Sequence, residues 1–133
     1  MKKLFVLMAA LFICNIVTAQ VCQIRGTYDT IQVMGCDWNE GDTNIIVTLS
    51  NDSNSVAANV TVNATVYYKW VNDPGHIGSS PSKTQSTSGS EQVPPRSNNT
   101  KCYIQVPDGG RGRGGRYVAE KVKINSITGV KCQ

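Results

Sequence analysis

The sequence has few of the side chains that catalysis and metal binding most often use. It contains one histidine, His76, in the loop-like segment from Asp73 to Ser79, and it has no Cys-x-x-Cys pair and no Gly-x-Ser-x-Gly motif. A nucleophile therefore lacks a recognisable base, and a zinc ion lacks a ligand set. Only two glutamates, Glu40 and Glu91, precede the basic C-terminal region, which leaves few glutamates to form a pair of catalytic carboxylates. The sequence predicts a protein that is not an enzyme and that uses no metal and no cofactor.

Long apolar runs are also absent, except at the N-terminus. Two lysines precede an apolar stretch from Leu4 to Val17, and Val17-Thr18-Ala19 has the small residues of a cleavage site. This order is typical of a secretory signal peptide. The stretch of about fourteen residues is shorter than the roughly twenty that a membrane-spanning helix needs. We expect residues 1–19 to be removed and residues 20–133 to form a single domain that is either periplasmic or secreted to the extracellular space, with no membrane insertion after cleavage.

An oxidising compartment changes the expected role of the cysteines. Cys14 lies within the leader, so four cysteines remain after cleavage, an even number that is typical of disulfide pairing. Four cysteines allow three pairings, and sequence alone does not choose among them. The pairing that we favour joins Cys22 to Cys36 and Cys102 to Cys132, because it ties down each terminal segment. Both bridges would be structural.

Apolar side chains recur at every second residue in several segments, and no segment shows helical spacing. The clearest run extends from Val60 to Trp70, and a second covers residues 45–50. The polar residues 51–55 between them predict a turn and hence an antiparallel hairpin. Further strands are predicted at Thr30 to Met34, Lys101 to Val106 and Tyr117 to Ile127, and an edge strand near Lys83 to Ser90.

Short strands joined by polar turns, without helices, are typical of a sandwich. The charged residue Glu120 interrupts the apolar face of the last predicted strand. Lys121 and Lys123 of that strand are expected to face water. The predicted fold class is all-β: an immunoglobulin-like antiparallel β-sandwich of about seven strands, stapled by disulfides.

Part of the chain resembles a known group of domains. The run Ile46 to Trp70, followed by Val93-Pro94-Pro95-Arg96-Ser97 and the strand from Lys101 to Pro107, is similar to immunoglobulin-like modules of bacterial secreted and surface proteins, such as the FxLYD and CARDB families. The sequence departs from them in lacking the usual glycine after the proline turn and in carrying four cysteines after the leader. The resemblance implies an accessory or adhesive binding module and brings no catalytic residues.

Positive charge is concentrated near the C-terminus. Residues 101–133 carry seven basic and two acidic side chains, a net charge of +5, whereas residues 20 to 100 have a net charge of −3. The densest part runs from Asp108 to Arg116, where five glycines surround three arginines, Arg111, Arg113 and Arg116. A guanidinium group can donate two parallel hydrogen bonds to a carboxylate, phosphate or sulfate, and glycine keeps a loop mobile. The segment predicts a solvated flexible hairpin loop, with a polyanion or acidic-partner contact as the functional interpretation.

Aromatic side chains supply the other binding candidates. Tyr67 and Tyr103 fall on the outer faces of predicted strands, and Trp38 lies in an acidic turn. Exposed rings of this kind stack on sugars or anchor a protein partner. Tyr68 and Trp70 fall on the inner face by alternation, so we expect them in the core.

These features lead to one functional hypothesis and one alternative. The hypothesis is a secreted, non-catalytic binding module for adhesion or for carbohydrate, host or protein interaction, with an unknown protein or a polyanionic or carbohydrate ligand as its partner. Nucleic acid is not an expected partner, since an exported protein rarely meets it. The alternative is a small secreted inhibitor or toxin-like effector that uses the Arg-Gly-rich loop 108–116.

Overall fold

The computed structural model describes residues 22–23 and 27–131, and these residues form strands joined by turns and loops. The predicted signal peptide and the predicted first residue of the mature chain, Gln20, lie outside this part. Within it, no helix is long and apolar enough to cross a membrane. The strands are β1 (Cys22–Gln23), β2 (Thr27–Tyr28), β3 (Ile31–Asp37), β4 (Asn44–Asn51), β5 (Ala58–Asn72), β6 (Lys83–Val93), β7 (Thr100–Gln105), β8 (Arg111–Gly112) and β9 (Gly115–Lys131).

The strands form two sheets that pack face to face, which confirms the predicted all-β sandwich. One sheet has the order β1-β9-β5-β6, with β8 added beside β9, and the other has the order β2-β3-β4-β7. All strand pairs are antiparallel except β1 with β9. The structure describes nine strands where about seven were predicted, and three of the nine, β1, β2 and β8, have only two residues each.

The core lies between the sheets and follows from the period-two pattern. The 15-residue β5 is central to its sheet, and its inward side chains from Ala58 to Tyr68 are nearly inaccessible to solvent. Burying one such valine or leucine-sized side chain stabilises the fold by about 1.5–3 kcal/mol. The facing sheet contributes the fully buried side chains of Ile31, Ile45, Val47, Leu49 and Ile104.

The predicted hairpin between residues 45–50 and 60–70 is wrong. β4 pairs with β3 and β7, whereas β5 pairs with β6 and β9. The chain therefore crosses from one sheet to the other between β4 and β5. Alternation specifies which face of a strand is buried but not which strand lies beside it, so the pattern could not distinguish a hairpin from a crossover.

Asn51 holds this crossover in place. Its side chain is buried, and its Oδ1 atom accepts hydrogen bonds from Thr30 Oγ1 at 2.7 Å and from the backbone nitrogen of Ser53 at 3.0 Å. Its Nδ2 atom donates to the carbonyl oxygens of Val56 at 2.9 Å and Val93 at 3.2 Å. The amide thus joins the loop between β4 and β5 to Thr30 and to Val93 where the chain changes sheets.

Glu120 does not end the last strand, because a β-bulge accommodates it. Tyr67 pairs with Lys121 and Tyr68 pairs with Ala119, which leaves Glu120 exposed and without an opposing residue on β5. An extra residue of this kind shifts the alternation by one position. β9 therefore continues for 17 residues, with its core side chains correctly placed on both sides of the glutamate.

The predicted Cys22–Cys36 disulfide is present, with the two Cα atoms 6.0 Å apart. Cys22 lies on β1 of one sheet and Cys36 on β3 of the other, so the bridge joins the two sheets at one side of the sandwich. Closing a loop of about fifteen residues stabilises a fold by about 3 kcal/mol. Such a bridge is typical of proteins that fold in an oxidising compartment.

The opposite side of the sandwich is closed by contact between β6 and β7. Thr87 Oγ1 of β6 donates a hydrogen bond to the carbonyl oxygen of Gln105 at 2.8 Å. Gly89 lies so close to β7 that a Cβ atom there would be 2.6 Å from the carbonyl oxygen of Tyr103. Neither long side of the sandwich is therefore simply open to water.

Cys102 is a free thiol rather than half of the second predicted bridge, and its predicted partner, Cys132, lies outside the described residues. Cys102 lies on β7, opposite Val47, and its side chain is in the core and 0% exposed. Burial raises the pKa of the Cys102 thiol from 9.0 to about 11, and the negative charge of Glu91 adds to the shift.

This burial predicts a loss of stability in mild alkali. The unfolded chain releases the Cys102 proton near pH 9.0, whereas the folded protein keeps it to about pH 11. The stabilisation is complete below pH 9 and declines as the pH rises through this window. By pH 10.5 we expect the free energy of unfolding to have fallen by about 2 kcal/mol more than in Cys102→Ala. Urea unfolding of both proteins at several pH values measures the difference, and parallel pH dependences would contradict the prediction.

Candidate functional site

The Arg-Gly-rich segment, predicted as a solvated flexible hairpin loop, forms a hairpin with regular strand pairing. β8 pairs with the start of β9, with Arg111 opposite Arg116 and Gly112 opposite Gly115. Arg113 and Gly114 form the turn, where Gly114 has a φ of +82° that favours glycine. We call residues 108–116 the arginine hairpin. It extends the five-stranded sheet at the edge formed by β9.

Three of its glycines are required by close packing. A Cβ atom would lie 2.6 Å from Tyr68 Cδ1 if added to Gly109, 2.9 Å from Trp70 Cη2 if added to Gly112, and 2.5 Å from Trp70 Cζ2 if added to Gly115. Contacts this short do not occur with real side chains. The missing side chains thus let the hairpin lie directly against the aromatic rings, and this packing explains the glycine content.

The aromatic rings of Tyr68 and Trp70, against which the hairpin packs, have contacts of their own. Tyr68 is buried, as predicted, and its hydroxyl donates to the carbonyl oxygen of Pro107 at 2.5 Å. Its burial, assisted by the negative charge of Asp108, raises the pKa of Tyr68 above its ordinary value. Trp70, predicted to lie in the core, is instead half-buried and meets Tyr117 edge to face with ring centroids 5.1 Å apart.

Backbone hydrogen bonds hold both ends of the arginine hairpin. The backbone nitrogen of Tyr117 donates to the carbonyl oxygen of Gly110, and that of Asp73 donates to the carbonyl oxygen of Gly114, both at 2.9 Å. The backbone nitrogen of Gly110 also donates to Asp108 Oδ1 at 3.0 Å. The position of the arginine backbone is therefore determined by the fold.

All three arginines are exposed to solvent. Arg111 and Arg116 are direct cross-strand neighbours, so their side chains share one face, and like charges in this position repel. Arg111 Nη2 lies 3.4 Å from Asp73 Oδ1, and since both side chains are exposed this ion pair contributes little. Arg113 and Arg116 form no ion pair with any residue that the structure describes. An anion between Arg111 and Arg116 would relieve their repulsion.

Trp38 is wrongly predicted as an exposed binding residue. Its side chain is 2% exposed, and its Nε1 atom donates to the carbonyl oxygen of Asp42 at 3.1 Å. The acidic turn that suggested exposure folds over the ring instead. Its backbone is closed by a hydrogen bond from Asp42 to Asn39 at 3.0 Å and one from Asn39 to the Asp42 carboxylate at 2.9 Å.

The two tyrosine candidates lie apart from each other and from the arginine hairpin. Tyr103 is 59% exposed on the four-stranded sheet, which agrees with its predicted outward direction. Tyr67 also faces outward but is half-buried, because the Lys121 ammonium lies 5.0 Å from its ring centroid. Of the six binding candidates, the fold brings together only the three arginines.

Other features of the described residues offer little to a reaction. One depression, of about 540 Å³, is a shallow trough across β5, β6 and β9, and its lining includes Asn59, Thr61, Ser90 and Thr128. Among residues 22–23 and 27–131, no group of three His, Cys, Asp or Glu side chains could hold a metal ion. The arginine hairpin is therefore the candidate site.

Comparison with known proteins returned no match among protein-family models, curated proteins or solved structures. The resemblance to immunoglobulin-like modules stays a prediction, and the functional argument depends on the geometry of the hairpin.

Proposed function

We propose that the protein is a secreted, non-catalytic binding module that holds an anionic partner on the arginine hairpin. Secretion is supported by the leader-like N-terminus and by the disulfide between the sheets. The binding role is supported by one observation above all. Arg111 and Arg116 are held side by side, at a cost in repulsion, on a hairpin whose backbone is packed against Trp70.

Preorganisation explains why this arrangement suits binding. A flexible arginine loop loses conformational entropy when it meets a ligand, whereas a hairpin already held by its own pairing and by aromatic contacts loses less. The guanidinium groups remain free to form paired hydrogen bonds with carboxylate, sulfate or phosphate oxygens. The partner is an anionic carbohydrate or an acidic protein surface.

A small inhibitor is the second candidate, and one observation favours it. An inhibitor presents a side chain to a protease on a rigid loop, and Arg113 stands at the tip of a hairpin whose backbone is hydrogen-bonded at Gly110 and Gly114. Stoichiometric inhibition of trypsin that Arg113→Gln abolishes would select this function. Unchanged trypsin activity at excess protein would exclude it for this protease.

The proposed function predicts a specific loss of anion binding when the arginines are replaced. We expect Arg111→Gln/Arg113→Gln/Arg116→Gln to bind immobilised heparin or polyglutamate about tenfold more weakly, because three exposed charge contacts of about 0.5 kcal/mol each amount to about 1.5 kcal/mol. Surface plasmon resonance at about 150 mM salt, where distant charges are screened, measures the affinity.

The matched control is Arg96→Gln/Lys101→Gln/Lys131→Gln. It removes the same net charge from positions outside the arginine hairpin, and all three residues are exposed. This variant should bind like the wild type, and circular dichroism should show that both variants are folded. Equal losses in the two variants would mean that net charge, not the hairpin, determines binding, and the proposed site would be rejected.

A further inference from the structure

The arginine hairpin continues into a line of positive charge along β9. Beyond the bulge, Lys121 lies opposite Tyr67 and Lys123 lies opposite Thr65, on the face turned away from the buried Val122. β5 has no extra residue in this region, so its alternate residues share one face. The sequence predicts that Lys121 and Lys123 face water, and the structure adds their position relative to the arginines.

Arg116 lies on the same face as these lysines. It is opposite Val71, which is four residues from Tyr67 on β5 and therefore on the same side of the strand. At about 3.3 Å per residue, Lys121 is about 13 Å and Lys123 about 20 Å from Arg116 along the sheet. Arg111 adds a second cation beside Arg116. We call these four side chains the cationic track.

Acidic side chains do little to neutralise the cationic track. β9 itself contributes one carboxylate, that of Glu120 at the bulge, against the three cations of the track that it carries. Nearby, Glu40 is held by Lys69, whose Nζ atom lies 2.9 Å from Glu40 Oε1, and this contact raises the pKa of Lys69. Asp73 touches only one of the arginines within the described residues. The track therefore keeps a positive charge along its length.

Beside Lys121 and Lys123, the track is flanked by hydroxyl and amide groups, whereas Val71 is exposed near Arg116. Thr84, Ser86 and Ser88 of β6 lie opposite Tyr67, Thr65 and Asn63 in the same sheet. Asn125 Nδ2 donates to Thr65 Oγ1 at 2.6 Å beside Lys123. Protein interfaces need a buried core of aromatic or aliphatic anchors, whereas sugar rings bring many hydroxyl groups that pair with such side chains.

We infer that the cationic track binds a linear polysaccharide that carries carboxylate or sulfate groups. This inference rests on the proposed function, since the arginine hairpin forms one end of the track. A linear polyanion matches a row of cations about 20 Å long that is flanked by hydroxyl groups. A single-stranded nucleic acid fits less well, because it needs free aromatic faces and the ring of Tyr67 is covered by Lys121.

The test compares Lys121→Gln/Lys123→Gln with a control of equal charge, Arg96→Gln/Lys101→Gln. The probes are heparin for sulfate, polygalacturonate for carboxylate, neutral dextran, polyglutamate and single-stranded DNA. We expect the wild type to bind heparin or polygalacturonate and not dextran. The lysine variant should bind that polysaccharide about fivefold more weakly, and the control variant should bind it unchanged. In the bound protein, amide NMR shifts should move along β9 from Arg116 to Lys123.

The outcomes separate the track from the hairpin. If the triple arginine variant loses binding while Lys121→Gln/Lys123→Gln binds like the wild type, the track is rejected and the hairpin function stands. If polyglutamate or DNA binds more tightly than both polysaccharides, the ligand class is rejected while the hairpin function again stands. If no anion binds, or if all variants bind equally, both proposals are rejected.

Discussion

Replacing Trp38 with alanine is expected to lower the free energy of unfolding by about 3–5 kcal/mol. The indole is among the largest fully buried side chains of the protein, and it covers the end of the core after β3. Its removal leaves a cavity and also frees the carbonyl oxygen of Asp42, which now accepts a hydrogen bond from Nε1. For a domain whose whole stability is about 5–15 kcal/mol, this loss is large.

The size of the effect distinguishes the structural role of Trp38 from the binding role predicted by sequence. Trp38→Phe keeps most of the ring but not the hydrogen bond, so we expect it to cost only about 1–2 kcal/mol. Urea unfolding followed by far-ultraviolet circular dichroism measures both variants. If Trp38→Ala costs less than about 1 kcal/mol and weakens ligand binding, the residue belongs to an exposed site and its place in the core is refuted.

Replacing Gly115 with valine is expected to abolish most anion binding although all three arginines remain. A Cβ atom at this position would lie 2.5 Å from Trp70 Cζ2 and 2.5 Å from the carbonyl oxygen of Val71. Because the backbone oxygen cannot move aside as a flexible side chain would, the hairpin itself must shift. We expect a loss in heparin affinity of about tenfold and a loss in stability of about 1–3 kcal/mol.

The control for this variant is Gly78→Val, in an exposed loop where an added Cβ atom meets nothing within 4 Å. This variant should keep both stability and affinity. Heparin binding, with Trp70 emission as a local probe in a Trp38→Phe background, separates displacement of the hairpin from global unfolding. Unchanged affinity in Gly115→Val would show that the arginines bind without this packing, and preorganisation would then be unnecessary.

The successes and failures of sequence reasoning have identifiable physical causes. The strand around Val62 and Val66 was predictable because a half-buried strand requires alternation, whatever lies beside it. The partner of that strand was not predictable, because pairing is decided by contacts distant in sequence, such as the hydrogen bond from Asn51 to Val93. Trp38 was misplaced because its polar neighbours predict exposure, whereas they hydrogen-bond to one another over the ring.

The candidate site, too, was predictable only in part: its residue types follow from the sequence and their arrangement follows from the fold. The three arginines were identified from composition, and their positive charge needs no fold. Their arrangement does need one: Gly112 and Gly115 were interpreted as a source of mobility, but both lie against Trp70, which is more than forty residues earlier in the sequence. Lys121 and Lys123 join the arginines only because β5 and the bulge at Glu120 put them on one face.

The sequence by itself determined the all-β class, most strand positions and the positive charge of the C-terminal region. These depend on local periodicity and on composition, whereas the choice of Cys22–Cys36 among the possible cysteine pairings needed the fold. Only the tertiary structure decided which strands pair, that Trp38 and Cys102 are buried, and that the glycines of the arginine hairpin lie against aromatic rings. The physical reason is that pairing and burial depend on residues far apart in the chain, whose approach no local pattern encodes.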